Sequence, residues 1–255
     1  MAVVAAKGIL LRFLHSWEKS IEICAMAFVA GHRTNFLRNI GQTNRSCHRS
    51  RTPGPSGLER CNIHYINLNH REDRRAEMQS EFKALGVTRF ARFEAIADAN
   101  GALGCAKSHE AVLLSASISE DQLVMICEDD CQFIAHRAAI DAVIEEFYYN
   151  SHLSVLCLAY NAENEFSISQ NLMITSDTQT MSCYILKASA IAEVLESVRF
   201  SVDNLSRGGA GFDYAIDRVW KRLQQQMFFA LTKERLARQR PSFSDIENSH
   251  QDYGL

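Results

Sequence analysis

The 255-residue chain is 47% hydrophobic and 9% aromatic, enough apolar material for a packed core and too much for a disordered polymer. No run reaches the ~18–20 apolar residues that span a bilayer; the best stretch, Ile21 to Ala30, is short and contains Glu22. The net charge of −3 hides an asymmetry, because residues 1–60 carry nine Lys and Arg against three acids while the remainder is acidic by nine charges. Such a split assigns the two segments different duties.

Residues 1–60 read as a basic N-terminal extension, poorly ordered or partly helical. Residues 1–17 are mildly amphipathic, with Ile9, Leu10, Leu11, Phe13 and Leu14 beside Lys7 and Arg12. They suit a membrane-surface helix, a targeting peptide or an unstructured extension. Asn44 to Glu59, rich in Ser, Arg, Pro and Gly, reads as a linker, which places the start of the main domain near residue 61 and its extent at 61–255.

From there, short apolar runs alternate with helical periodicity, the pattern of an α/β layered fold. Ile63 to Leu68 is the first expected strand. Met78, Phe82 and Leu85 recur at helical spacing and Gly86 stops that helix. A short strand is expected at Arg92 to Ile96, a turn at Gly101 to Gly104, and a helix at His109 to Ile118 begun by Ser108. Leu123 to Cys127 shows no alternation, so this strand is expected to be buried on both faces. Ala138 to Tyr149 should be helical, Leu153 to Ala159 and Met181 to Leu186 strands, Ala188 to Val198 and Asp213 to Gln224 helices. The tail from Arg238 has little periodicity.

The strand at 123–127 ends in Glu128, Asp129 and Asp130. Three carboxylates at the end of an apolar strand must face water or a cation. In open α/β sheets that end of the strand lines the ligand crevice, and carboxylate oxygens there suit Mg²⁺ or Mn²⁺ bridging a diphosphate. A solvated acidic turn is the alternative. After the first strand comes Asn67-Leu68-Asn69-His70-Arg71-Glu72-Asp73-Arg74-Arg75, whose amides can read a base or ribose and whose arginines can pair with phosphate. A charged helix start explains that stretch equally well. In Gly104-Cys105-Ala106-Lys107-Ser108-His109, the glycine permits close backbone approach and the Ser a phosphate-facing helix start. It is no Walker loop, and His109 could be a core histidine. Eight cysteines are scattered without a C-x-x-C pair, which fits a reducing, cytosolic compartment. Cys127 and Cys131 bracket the acids, but no second pair at ligand spacing completes a zinc site.

Together these stretches resemble the family 25 glycosyltransferases, which include lipooligosaccharide-building enzymes. The likeness rests on Ile66 to Arg75, Gly104 to His109, Val124 to Asp130 and Gln239 to Ile246. Met181 to Leu186 and Phe212 to Asp217 add to it, so that it spans roughly residues 61–253. Cys127 departs from the aliphatic residue usual in the family, the region after Asp213 is short, and residues 1–60 have no counterpart.

The resemblance implies a GT-A-type, Rossmann-like nucleotide-sugar-binding fold with a mixed, mostly parallel sheet. It implies an inverting hexosyl transfer from a nucleotide-diphosphate sugar, UDP-galactose favoured, to a saccharide or glycolipid hydroxyl in surface polysaccharide or lipooligosaccharide assembly. Glu128, Asp129 and Asp130 would then hold Mn²⁺ or Mg²⁺, and Asn67, Asn69, Arg71, Arg74, Ser108 and His109 the donor. Asp213, or else Asp217 one helical turn on, would be the general base. The expected location is cytoplasmic, at the inner membrane face if residues 1–60 contact anionic lipids; no nucleic-acid partner is expected. The alternatives are another metal-dependent nucleotide or phosphoryl-group enzyme, or a non-catalytic nucleotide-sugar-binding relative.

Overall fold

The computed structural model describes residues 55–116, 122–244 and 249–251, all within one compact unit, Pro53–Leu255. The expected amphipathic segment and basic extension up to residue 54, the helix end at Ile118, and Asp245-Ile246 of the tail motif lie outside the described residues.

After a 3₁₀ turn at Gly57–Arg60, the chain forms β1 (Cys61–Asn67), α1 (Glu72–Ala84), β2 (Ala91–Glu94), α2 (Gly101–Ser115) and β3 (Leu123–Glu128). The chain continues with β4 (Cys131–Phe133), α3 (Arg137–Tyr149), β5 (Leu153–Ser167), β6 (Leu172–Lys187) and α4 (Ile191–Ser206). Short helices α5 (Gly211–Tyr214) and α6 (Ile216–Val219), a 3₁₀ turn at Trp220–Gln225, and strands β7 (Phe228–Thr232), β8 (Ala237–Gln239), β9 (Ser242–Ser244) and β10 (Ser249–Gln251) complete it.

Six strands form the central sheet in the order β2-β1-β3-β6-β5-β7. β1 pairs in parallel with both β2 and β3, and β5 with β7, while β6 runs antiparallel to its neighbours β3 and β5. The fold is therefore the expected α/β, Rossmann-like type with a mixed, mostly parallel sheet. β3 is buried on both faces. Val124 and Ile126 join Val112, Val194, Val198 and Tyr184 in the core under α2 and α4. On the opposite face Tyr65, the register partner of Cys127, meets Phe82 of α1 with ring centroids 5.8 Å apart.

Three local readings are corrected. Residues 101–104 are the first turn of α2 rather than a loop before it, because the Asn100 side chain caps the Leu103 amide and so satisfies a helix-end donor. The strands expected at 153–159 and 181–186 are the inner halves of a long hairpin, β5–β6, which bulges between the pairs Ala159↔Cys183 and Asn161↔Gln179. Within that bulge Thr180 has φ +77°, an outlier for a β-branched residue. The helix expected over 213–224 is broken at Ala215, which is extended at ψ 148° between α5 and α6. Packing decides the break: the Tyr214 carbonyl accepts from Ser201 Oγ, and Trp220 and Gln224 both donate to the Thr178 carbonyl.

Candidate functional site

The two crossovers leaving β1's flanks run in opposite directions, from β1 to β2 and from β2 back over β1 to β3. The switch point between β1 and β3 is where an open α/β sheet leaves a crevice at its carboxyl edge. A cavity of about 250 Å³ opens there, lined among others by Leu68, His70, Arg74, Gly104, Cys105, Ser108, His109, Glu128, Asp129, Asp130 and Gln239. The acidic triplet, the Gly-Cys…Ser-His segment and the start of the tail motif thus line one cavity.

The three acids are held differently. Asp129 is fully engaged: Oδ1 accepts from Arg74 Nη1 at 2.8 Å and Oδ2 from Asn67 Nδ2 at 2.8 Å. Burial pushes its carboxyl up, and Arg74 and Asn67 offset only part of that. Asp130 accepts from Gln239 Nε2 at 3.1 Å and lies 3.5 Å from Arg74 Nη1, both through Oδ2. Its Oδ1 is buried with no hydrogen-bond partner. Burial, then the charges of Glu128 and Asp129, push this carboxyl up to about 7 against the pull of Arg74. Glu128 accepts through Oε1 from Cys105 Sγ at 3.4 Å and faces His109 Nε2 at 3.2 Å. Burial raises its carboxyl, but His109, Cys105 and Arg74 pull harder and leave it below its ordinary value.

The acidic turn offers one place to a cation. Asp130 Oδ1 is a buried anionic oxygen without a donor, which is costly unless a positive charge reaches it. Glu128, two residues away, lines the same cavity, with hydrogen bonds given to Oε1 alone. These hard oxygens fit Mg²⁺ or Mn²⁺, which keep several water or phosphate ligands of their own. Asp129, with both oxygens engaged, instead fixes the turn.

The segment after β1 divides between that turn and the surface. Arg74 lines the cavity but spends its guanidinium on Asp129 and Asp130, and Asn67 bridges Asp129, the Arg71 carbonyl and Arg92 Nε. Arg71 binds Asp73 at 2.8 Å, and exposed Asn69 accepts from Arg92 Nη2 at 3.4 Å. Neither Arg71 nor Asn69 lines the cavity, whereas their neighbours Leu68 and His70 do. Ser108 Oγ donates to the Gly104 carbonyl and accepts from the Ile96 amide. His109 Nδ1 sits 2.9 Å from Tyr184 Oη.

Gly104 shows why a glycine is required inside α2. A Cβ there would stand 2.7 Å from the Ile96 carbonyl and 3.2 Å from the Asp98 amide, and both of those residues line the cavity.

Asp213 and Asp217 are not one turn apart in a single helix. Asp213 is exposed on α5, whereas Asp217 is half-buried on α6. Burial raises the Asp217 carboxyl, and it lies near enough to Glu128 and Cys105 for their charges to act on each other. The backbone of Thr180, at φ +77°, acts from nearby against that rise.

Sequence reasoning missed the parts played by Gln239, Arg240 and Tyr184, although all three lie in motif segments. The Arg240 amide donates to the Asp130 carbonyl at 2.7 Å, and its guanidinium grips Glu77 at 2.6 Å and Glu81 at 2.7 Å. The tail therefore straps the acidic turn to α1. Cys127 and Cys131 do gain a third thiol, Cys183, with the three Sγ atoms within 4.8 Å of one another, but all three are closed in the core.

No protein-family model matches the chain, and no curated protein does. Three solved structures are similar to it at low levels. The inositol-1-phosphate CTP transferase from T. maritima has 11% identity and TM-score 0.37, over 71% of each chain. The nucleoside-diphosphate-sugar pyrophosphorylase from Vibrio cholerae RC9 has 12% identity and TM-score 0.36, over 76% of this chain and 86% of that one. The CTP:phosphocholine cytidylyltransferase from Streptococcus pneumoniae has 12% identity and TM-score 0.34, over 69% and 71%. Likenesses at this level carry no argument about activity. Among the described residues, no helix is long and apolar enough to cross a membrane.

Proposed function

We propose that this chain is an inverting glycosyltransferase of the family 25 type, with a GT-A-type fold. It would move a hexose, galactose favoured, from a nucleotide-diphosphate sugar to a saccharide or glycolipid hydroxyl in surface polysaccharide assembly. The observation that carries the reading is the donorless buried oxygen of Asp130, which lines the same cavity as Glu128 at the carboxyl edge of β3. A divalent ion held by Glu128 and Asp130 would neutralise the charge of a departing nucleoside diphosphate. His70 and Leu68, on the wall between β1 and α1, would meet the nucleoside.

Of the two candidate bases, Asp217 suits the task better than Asp213. Its carboxyl is raised by burial, toward the range where a base works near neutral pH. Asp217 would accept the proton of the acceptor hydroxyl as the new glycosidic bond forms and the sugar–phosphate bond breaks. Contact of the basic residues 1–60 with anionic lipid at the cytoplasmic membrane face would bring glycolipid acceptors within reach.

A thermal-shift screen of nucleotide-sugars, each with and without Mn²⁺, tests the proposal. A donor at ~100 times its Kd stabilises the protein by about 2.7 kcal/mol, or roughly 5–10 °C at this size. UDP-galactose with Mn²⁺ should produce that shift in the native protein and none in D130A. Equal shifts in D130A would remove the acidic turn from the site, and absence of a shift with every nucleotide-sugar would sink the reading.

A further inference from the structure

We infer that Cys105, His109 and Glu128 form a three-ligand zinc site whose fourth position opens into the cavity. One ligand atom from each lies within 4.8 Å of the other two. The two measured edges, His109 Nε2 to Glu128 Oε1 at 3.2 Å and Cys105 Sγ to the same oxygen at 3.4 Å, match a tetrahedron. Bonds of ~2.0 Å to nitrogen or oxygen and ~2.3 Å to sulfur give edges of roughly 3.3–3.6 Å.

The fold builds this arrangement. Cys105 and His109 stand four residues apart on α2 and so share one face, and Glu128 ends the adjacent strand. His109 is fully buried, and Tyr184 Oη holds its Nδ1 at 2.9 Å. That contact presents Nε2 toward Glu128, the outer-layer support that metal-bound histidines use. All three residues line the cavity, so a water or phosphate oxygen can complete the coordination. A sulfur, nitrogen and oxygen set suits zinc rather than Mn²⁺ or Mg²⁺, which prefer oxygen alone. Binding would convert the Cys105 S–H to a thiolate and release its proton to solvent.

Glu128 belongs both to this triad and to the oxygen pair with Asp130. Zinc would therefore compete with Mn²⁺ for the turn. The inference does not rest on sugar transfer, because it concerns metal binding by the chain alone.

The test uses the full chain stripped of metal, titrated with Zn²⁺ against a chromophoric chelator and with Co²⁺ for the sulfur-to-cobalt absorption. The native chain should bind zinc with a sulfur-to-cobalt band. C105S should lose the band and at least 100-fold in zinc affinity, and Y184F should lose about 10–100-fold through its support of His109. C183A, which alters the closed thiol cluster, should bind as the native chain does. Matching melting temperatures would keep C105S a folded comparison, and E128Q supplies a second one. Native affinity in both C105S and E128Q, loss of binding in C183A, or no zinc bound by the native chain would each overturn the inference.

Discussion

Replacing Arg74 by Met should be the most damaging single change to the stability of the acidic turn. Its Nη1 sits 2.8 Å from Asp129 Oδ1 and 3.5 Å from Asp130 Oδ2, with the three side chains only 10–11% exposed. At an effective dielectric of about 20, two such contacts are worth roughly 5–6 kcal/mol each before the cost of burying the guanidinium. Breaking a buried pair by removing one partner costs about 3–5 kcal/mol, because the other charge stays buried. For a body of this size that predicts a fall of roughly 6–20 °C in melting temperature. Removing the stranded charge as well, in R74M/D129N, should recover a large part of the loss. The sign with pH follows from Asp129, whose carboxyl is already raised by burial and would rise further without Arg74. An acid raised in the folded state loses stability as pH rises through the interval between its unfolded and folded values. R74M should therefore be less damaging at pH 5 than at pH 8. Chemical denaturation at both pH values measures this. A loss below ~1 kcal/mol at pH 8, or a double variant no more stable than R74M, would refute the reasoning.

Three further outcomes are expected. Asp130 has its folded carboxyl raised to about 7, so its ionisation opposes folding increasingly from about pH 4 to 7; D130N should gain on the order of 2–4 kcal/mol at pH 8 while losing Mn²⁺ binding, read by denaturant melts and metal titration. G104A forces a Cβ to 2.7 Å from the Ile96 carbonyl and should cost about 1–3 kcal/mol with weakened donor binding, measured by thermal shift with and without nucleotide-sugar; a native melt and native binding would contradict it. D217N should slow transfer by about 10²–10⁴-fold while D213N stays near native turnover; full transfer in both would end the general-base proposal.

How much of this was legible varies by element for physical reasons. The unalternating run at 123–127 announced a strand buried on both faces, and the acids after it announced the crevice edge. Helix α2 was read as starting too late because Gly101 and Gly104 look like turn residues. Their helical state depends on the Asn100 cap and on close packing against Ile96, which are set by tertiary contacts. Strand β7 was missed between two stretches read as helix and tail, and the helix at 213–224 was read as continuous because Ile216, Val219, Trp220 and Leu223 keep helical spacing through the break at Ala215. The site was legible in its members but not in their pairing. Arg74 and Asn67 looked like donor contacts, and their partner Asp129 lies 55 and 62 residues away in sequence. Sequence spacing carries no information about such a contact. The same holds for Gln239, which reaches Asp130 across 109 residues.

The proposed reaction cleaves a sugar–phosphate bond at the acidic turn. Incubation of the full chain with Mn²⁺ and UDP-galactose labelled in the sugar, with UDP and labelled saccharide quantified together, tests it most directly. UDP and transferred or released galactose should appear in equal amounts, and both should be lost in D130A. Consumption of the nucleotide without any sugar leaving it would contradict the account.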